Sequence, residues 1–325
     1  MVDALVRASF QRVSGPRKIF LEDNEAAAIV LGKDVSFYLP ELVRHHRNLG
    51  VESFVYIDNG STDGSVALAA DLGMLTAQCS ASFRDFQPQI RRLAATLYVK
   101  GGWRLVVDAD ELFDYPASDR VKLPVLLEKL NRRGHTAVVS QMLDMVPEDQ
   151  LTDQLDVSYE RAIELCDWYD TSDVEAIDYH DHEGIGFSYF LQKNSLSSEE
   201  IAFRFGGIRR RLFGEDCCLS KHALFRMGPG VDPSPHPHVA TGLLCSDFTA
   251  LIRHYKFTGG FLQRERDRVA RNALSHGEAA QRMRAFDETP EISFQTPGRQ
   301  RGATADRLLE DGFLFASDEA RAMLA

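Results

Sequence analysis

Short apolar segments alternate with stretches of helical periodicity between residues 26 and 142, and this alternation constrains the fold more than any other feature of the chain. The apolar segments predict buried strands at residues 26–31, 54–57, 75–77, 105–107 and 137–142. Apolar residues three or four apart predict intervening helices at residues 39–49, 66–72, 90–98 and 123–130. Pro40 and Gly50 mark the start and the end of the first of these helices. Strands that alternate with helices indicate an α/β fold, doubly wound around a mostly parallel, mixed sheet.

The strand predicted at residues 105–107 ends in three carboxylates, Asp108, Asp110 and Glu111. In open α/β sheets, ligands bind outside the carboxyl ends of the strands, so Asp108 and Asp110 are predicted to lie at a ligand site. Hard oxygen ligands of this kind suit Mg²⁺ or Mn²⁺, which bind through one or two carboxylates together with substrate phosphates. Acids that follow a strand also open turns or cap helices, and on this motif alone both interpretations stay open.

Charge and composition exclude several classes of protein. The net charge of −11 argues against a non-specific nucleic-acid binder, which needs a basic surface, but it leaves room for small phosphorylated ligands. No apolar run approaches the roughly 20 residues of a membrane span, and the N-terminus lacks a secretory apolar region. The five cysteines are odd in number and lack a C-x-x-C pair, which argues against a disulfide framework or a zinc knuckle. We therefore expect a cytoplasmic protein without a transmembrane segment and without a nucleic-acid partner.

The pattern changes after Pro147. Residues 148–200 are acidic and aromatic without a clear period, residues 203–213 and 223–227 predict short strands, and residues 239–246 are ambiguous. Helices are predicted at residues 261–274 and 278–286. We interpret this half as an elaboration of the first half rather than as an independent domain.

Three separated motifs and two later ones resemble a known family. The motifs are YLPE…HHRNLG at residues 38–50, IDNGSTDG at 57–64, and W103 followed by DADEL at 108–112, with GGIRRR at 206–211 and HYKF at 254–257. In order and spacing they resemble the family-2-like nucleotide-sugar glycosyltransferases of the GT-A fold, over roughly residues 26–275. The resemblance implies a nucleotide-sugar-binding half at 26–146, an acceptor-binding half at 147–286, an N-terminal extension at 1–25 and a C-terminal tail at 287–325.

The resemblance also implies roles for the acids of these motifs. Asp58 would contact the nucleotide base, Asp108 would bind in the ribose or metal region, and Asp110 would bind Mn²⁺ or Mg²⁺. Where the family usually has Asn-Glu after the first strand, this chain has Lys33-Asp34, so Asp34 keeps the acid of the donor site.

Basic and imidazole groups of the later motifs complete the predicted donor site. His254 is a candidate third metal ligand, with a surface or core histidine as the alternative. Lys256 and Arg209 or Arg211 would neutralise the diphosphate, an arginine through paired hydrogen bonds; solvated basic residues at a strand edge are the alternative.

The general base is assigned to Asp216 or to Asp144, because an inverting transfer needs a group that takes the proton of the acceptor hydroxyl. Either acid is equally explained as a surface residue. The pairs His236/His238 and His180/His182 are better explained as ordinary loop residues than as metal ligands. His236 is also a candidate residue of the acceptor site. His46 is predicted to pack in the core.

The function implied is a metal-dependent, inverting transfer of a sugar from a nucleoside diphosphate sugar, with a UDP-sugar favoured, to a glycan or other hydroxyl acceptor. Two other classes stay open. A nucleotidyltransferase would need a glycine-rich, basic loop after the first strand, and Gly32-Lys33-Asp34 is short for that role. A non-catalytic sugar-nucleotide-binding protein would keep the acids of the donor site and lack the base.

Overall fold

One large sheet organises the protein. The computed structural model describes residues 2–150, 157–270, 278–289 and 291–325. In spatial order the sheet contains β1 (Phe10–Ser14), β5 (Leu75–Cys79), β4 (Ser53–Asp58), β3 (Ala26–Gly32), β7 (Trp103–Val107), β14 (Ser220–Arg226), β9 (Ala137–Asp144), β17 (Leu244–His254) and β12 (Ser195–Leu196), and β8 (Glu111–Asp114) pairs with β17.

Smaller strand pairs and helices surround this sheet. The pairs are β2 (Ile19–Phe20) with β6 (Val99–Lys100), β10 (Trp168–Asp170) with β18 (Arg299–Arg301), β11 (Val174–Asp178) with β13 (Ala202–Gly206), and β15 (Asp232–His236) with β16 (Val239–Thr241). The helices are α1 (Val2–Ala8), α2 (Leu39–Leu49), α3 (Ser65–Asp71), α4 (Phe83–Thr96), α5 (Leu123–Arg132), α6 (Tyr159–Leu165), α7 (Ser188–Leu191), α8 (Ile208–Phe213), α9 (Phe261–Ala270), α10 (Glu278–Glu288), α11 (Ala305–Glu310) and α12 (Asp318–Leu324).

The direction of the strands decides where a ligand site can form. Strands β5, β4, β3 and β7 pair in parallel, and so do β9 and β17. Strand β14 is inserted antiparallel between β7 and β9, so β7 and β9 run in the same direction. The carboxyl ends of β3, β4, β7, β9 and β17 therefore meet at one edge of the sheet. This arrangement confirms the predicted doubly wound α/β fold with a mixed sheet.

Local sequence explains the first half of the sheet. Residues 26–30 of β3 are buried without alternation, as expected for a parallel strand covered on both faces. Helix α2 begins with Pro40 in its first turn and ends at Gly50, whose φ of 104° lies in the left-handed region that glycine tolerates. Both predicted helix ends are confirmed.

The prediction of strands over residues 203–213 is wrong in its second part. Strand β13 stops at Gly206, and Gly206 and Gly207 have φ values of 88° and 70°. These two left-handed residues end the strand and let helix α8 begin at Ile208. The predicted helix at 261–274 is present as α9 up to Ala270, and its last residues lie outside the described part of the chain.

Both terminal segments pack into the domain. Strand β1 pairs antiparallel with β5 and forms one edge of the sheet. Leu308, Leu314 and Leu324 near the C-terminus are buried in the same core as helices α2 and α5. Among the helices of the described residues, none has both the length and the apolar character needed to cross a membrane.

Candidate active site at the carboxyl edge of the sheet

The predicted acids and the late histidine follow strands that end at the same edge. They are Asp34 after β3, Asp58 at the end of β4, Asp108 and Asp110 after β7, Asp144 at the end of β9 and His254 at the end of β17. Strand direction thus brings together residues that are far apart in sequence.

A chain of ion pairs joins Asp110, His254, Asp144 and Arg209. The distance from His254 Nε2 to Asp110 Oδ2 is 3.5 Å, and that from His254 Nδ1 to Asp144 Oδ1 is 2.6 Å. The Nε of Arg209 donates to Asp144 Oδ2 at 2.7 Å. His254 occupies this position because β17 lies between β8 and β9, where His254 pairs with both Glu111 and Asp144.

Electrostatics keeps this group ionised. Burial disfavours the charged form of His254, but the carboxylates of Asp110 and Asp144 outweigh it and raise the pKa of His254 to about 9. For Asp110, burial is opposed chiefly by His254 and Lys256, and its pKa is held well below the usual range. The protonated imidazole therefore supplies the positive charge that balances the two carboxylates.

The residue types here fit a divalent cation that is shared with a ligand. Within the described residues, no group of three or more His, Cys, Asp or Glu side chains is arranged to hold a metal ion by protein ligands alone. Asp110 and His254 offer two donors, and Mg²⁺ or Mn²⁺ at nucleotide sites commonly takes its remaining ligands from phosphates and water. The bond from His254 Nδ1 to Asp144 is the outer-carboxylate support typical of metal-binding histidines.

Asp108 faces a second set of charges. Its carboxylate lies 3.4 Å from Arg91 Nη1 and 3.8 Å from Lys221 Nζ, and Lys221 also pairs with buried Glu111 at 2.7 Å. Burial favours the neutral acid, but Lys221 and Arg91 outweigh it and lower the pKa of Asp108 to about 2. Sequence analysis missed Arg91 and Lys221, because each lies inside a regular helix or strand without a local motif.

Asp34 and Asp58 shape the loop at residues 59–64. Buried Asp58 accepts hydrogen bonds from the backbone N–H of Gly60 at 3.2 Å and of Ser61 at 3.1 Å. Asp34 Oδ1 accepts from the backbone N–H of Thr62 at 2.6 Å. These carboxylates therefore hold the DNGSTDG loop against the ends of β3 and β4, and their predicted contacts with a nucleotide stay predictions.

Lys256 lies near Asp110 and has a side chain that is open to a ligand. Within residues 2–150, 157–270, 278–289 and 291–325, its ammonium has no hydrogen-bond or ion-pair partner. Burial, with Arg282 and Arg209 nearby, lowers its pKa to about 8. The neighbouring Glu265 is already paired with Arg282 at 2.7 Å. Lys256 is therefore available to an anionic ligand.

The structure separates the two arginines predicted for the diphosphate. Arg209 is buried and joined to the site through Asp144, whereas Arg211 pairs with Asp173 on another side of α8. It also separates the two candidate bases. Both oxygens of Asp144 are used by His254 and Arg209, and Asp216 is a largely exposed acid paired with Arg210. No contact within the described chain links Asp216 to the Asp110–His254 pair.

The remaining histidines have structural contacts. His46 is fully buried and accepts from the backbone N–H of Phe113 at 3.2 Å, as predicted for a core residue. His238 Nδ1 donates to the carbonyl of Ser220 at 2.9 Å, and His236 stacks on Phe187. His180 and His182 contact the carbonyl of Asn194 and the amide of Gln192, respectively.

Comparisons with known proteins find partial structural matches. No protein-family profile and no curated protein matches the sequence. A crystal structure of a mycobacterial protein matches 38% of this chain and 42% of its own, with 16% identity and a TM-score of 0.27. Glucosyl-3-phosphoglycerate synthase from Mycobacterium tuberculosis, solved with Mn²⁺, UDP and glucosyl-3-phosphoglycerate, matches 37% of this chain and 44% of its own, with 16% identity and a TM-score of 0.25.

A third match is 4-diphosphocytidyl-2C-methyl-D-erythritol synthase, over 45% of this chain and 69% of its own, with 12% identity and a TM-score of 0.23. This chain thus spans less than half of the first two proteins. Similarity at this level does not transfer an activity, and the function is argued from the chain's own site.

Proposed function

We propose that this protein is a metal-dependent glycosyltransferase that moves a sugar from a nucleoside diphosphate sugar, with a UDP-sugar favoured, to a hydroxyl acceptor with inversion. The observation that carries the proposal is the linkage of Asp110, His254 and Asp144 at the carboxyl edge, beside the uncommitted ammonium of Lys256. A carboxylate and a supported imidazole next to a free cation form a site suited to a diphosphate and a divalent ion.

In this proposal Asp110 and His254 hold Mn²⁺ or Mg²⁺, and Asp108 contacts the ribose or the same ion. When bound, the ion would neutralise the negative charge that develops on the departing diphosphate. Lys256 adds a protein cation for that charge. Arg209 acts indirectly, because it fixes Asp144, which in turn orients the ring of His254.

The general base stays a proposal, and its two candidates, Asp144 and Asp216, differ in how well they could accept a proton. Arg209 and His254 hold the pKa of Asp144 far below its usual range against the effect of burial, so Asp144 is a poor proton acceptor. Asp216 keeps its place as the candidate base, and its exposed position three residues after α8 leaves it accessible to an acceptor. Its pairing with Arg210 would have to open for that role.

Calorimetric titration of UDP, GDP and CDP, each with and without Mn²⁺, tests the proposal. We expect Mn²⁺-dependent binding of one nucleotide, with UDP favoured, and loss of that binding in Asp110→Asn. The matched control is Asp119→Asn, since Asp119 is an exposed acid whose ion pair in the described part of the chain is with Arg120. Arg120 also pairs with Asp306. Binding of no nucleotide by folded protein would contradict the proposal and favour a non-catalytic protein.

A product assay distinguishes sugar transfer from nucleotidyl transfer. A glycosyltransferase releases UDP from a UDP-sugar in the presence of an acceptor, whereas a nucleotidyltransferase releases pyrophosphate from a nucleoside triphosphate and a sugar phosphate. The loop at residues 32–34 leads within a few residues into α2, so the long basic loop expected of the second class is not found there. We expect UDP release only.

A further inference from the structure

Glu111 is a buried acid of the DADEL motif that the proposed function does not use. Its side chain is only 1% exposed, and its backbone begins strand β8, where it pairs with that of His254. Burying a carboxylate is unfavourable unless the group is paired and hydrogen-bonded. The partners of Glu111 therefore indicate what this side chain contributes.

The first contact closes the turn between β7 and β8. The backbone N–H of Glu111 donates to the carbonyl of Asp108 at 3.1 Å, as in a β-turn. In the other direction, the backbone N–H of Asp108 donates to Glu111 Oε2 at 2.7 Å. Two hydrogen bonds thus join the ends of the segment 108–111, and both candidate ligand-binding acids, Asp108 and Asp110, lie on this closed turn.

The second contact is an ion pair with Lys221. Strand β14 runs antiparallel to β7, so its first residues, which include Lys221, lie beside the end of β7. The Nζ of Lys221 lies 2.7 Å from Glu111 Oε2, and both side chains are almost fully buried. One oxygen of Glu111 therefore accepts both from the backbone of Asp108 and from the ammonium of Lys221.

Lys221 lies between two carboxylates and is closer to one of them. Its Nζ is 2.7 Å from Glu111 but 3.8 Å from Asp108 Oδ2. Glu111 is closed off from solvent, whereas 39% of the Asp108 side chain is exposed. The ammonium thus makes its charge-assisted hydrogen bond to the carboxylate that a ligand cannot reach. The carboxylate that a ligand can reach is left without a hydrogen bond from Lys221.

We propose that Glu111 is a positioning residue of the donor site, and that it holds Lys221 away from Asp108. Within the described residues, Asp108 is the other carboxylate that lies within 4 Å of the Lys221 ammonium. Without the charge of Glu111, attraction would draw these two groups into direct contact, because a buried ammonium is costly to leave unpaired. The consequence for ligand binding rests on the proposed function, in which Asp108 contacts the ribose or the metal ion.

The variant Glu111→Gln removes the charge and keeps the shape of the side chain. Its amide oxygen can still accept from the N–H of Asp108, so the turn keeps its hydrogen bond while the attraction for Lys221 is weakened. We expect UDP with Mn²⁺ to bind at least about tenfold more weakly to this variant, since outer partners of metal ligands contribute about 10–100-fold. Calorimetry measures the affinity, and circular dichroism checks the fold.

A second substitution separates positioning from a purely structural role. Combining Glu111→Gln with Lys221→Met removes the ammonium together with the carboxylate, so Asp108 is no longer drawn to Lys221 and no buried charge is left unpaired. We expect most of the lost affinity for UDP to return. The matched control is Asp247→Asn, which breaks a 2.7 Å ion pair of a buried carboxylate with Arg133 near the start of β17 and should bind UDP like wild type.

A folded Glu111→Gln protein that binds UDP as tightly as wild type would overturn the proposal. A double variant as weak as Glu111→Gln would also overturn it, because the loss would then come from the turn and not from Lys221. If Glu111→Gln does not fold, Glu111→Asp takes its place, since the shorter side chain keeps its charge but withdraws from Lys221. Weaker binding of UDP is again expected, and an unchanged affinity would count against the proposal.

The position of Lys221 can be measured without any nucleotide or metal. Crystal structures of wild type and Glu111→Gln, both grown in chelator, give the distance from Lys221 Nζ to Asp108 Oδ2. We expect this distance to shorten from 3.8 Å to about 2.8 Å in the variant. A distance that does not shorten would overturn the proposal. Failure of wild type to bind UDP would instead remove the proposed function and leave this measurement standing.

Discussion

Asp108 and Asp110 are separated by one residue, yet they face two differently built halves of the site. Asp110 faces an imidazole that can lose its proton and is held by a second carboxylate. Asp108 faces the guanidinium of Arg91 and the ammonium of Lys221. A proton on His254 can be exchanged for a metal ion, whereas Lys221 beside Asp108 is already paired with buried Glu111. The two acids of one short motif therefore lie in differently built electrostatic environments.

The largest effect is expected for Asp110→Asn. The change removes the negative donor that His254 faces, and we expect the affinity for UDP with Mn²⁺ to fall by at least about 100-fold, since even outer partners of metal ligands contribute about 10–100-fold. Calorimetry measures the affinity, and thermal unfolding checks that the fold is retained. Asp108→Asn should keep measurable dependence on Mn²⁺, and equal loss in both variants would mean that the two halves are not distinct.

A large effect on stability is expected for Asp144→Asn. Asp144 is buried with Arg209, so its loss leaves an uncompensated guanidinium, and breaking such a pair costs about 3–5 kcal/mol. Urea unfolding measures the change. Combining Asp144→Asn with Arg209→Met should recover part of the loss, because the unpaired charge is then absent. A single variant as stable as wild type would contradict the supporting role of Asp144.

The pH dependence of stability sharpens the comparison. The pKa of His254 in the folded protein is about 9, above the unfolded value near 6.5, so its stabilising effect is fully present below about pH 6.5 and is lost as pH rises through about 9. The loss should be on the order of 3.5 kcal/mol, since the folded and unfolded pKa values differ by about 2.5 and one pKa unit corresponds to about 1.4 kcal/mol.

Urea unfolding of the protein in chelator from pH 6 to pH 10 measures this loss. His254→Gln should show a flatter profile over the same range, whereas Arg91→Gln should keep the wild-type slope. A wild-type profile as flat as that of His254→Gln would contradict the charge assignment of the Asp110 half.

The smallest effect on stability is expected for Asp216→Asn. Asp216 is exposed and its ion pair with Arg210 is screened by solvent, so the free energy of unfolding should change by less than about 0.5 kcal/mol. A fall in kcat for sugar transfer would then report on chemistry rather than on folding. An unchanged kcat would exclude Asp216 as the base.

Local sequence patterns were sufficient to predict most of the strands and helices in the first half of the chain. Strand β3 and helix α2 were predicted within a residue or two, because burial on both faces, Pro40 and Gly50 are local signals. The same signals were weaker beyond residue 147. The segment that was ambiguous in the sequence, residues 239–246, covers only the start of the long strand β17, and residues 247–254 were not predicted as a strand. Strand β17 is buried along nearly its whole length and so shows no alternation.

The sequence by itself determined that this is an α/β protein with Asp58, Asp108 and Asp110 at the carboxyl ends of strands, because strand periodicity and strand ends are encoded by neighbouring residues. The tertiary structure alone decided that β17 lies between β8 and β9, which brings His254 to Asp110 and Asp144. It also decided that α4 and the antiparallel strand β14 bring Arg91 and Lys221 to Asp108. These contacts join residues 17 to 144 positions apart, and they arise from strand order and helix packing rather than from any local periodicity.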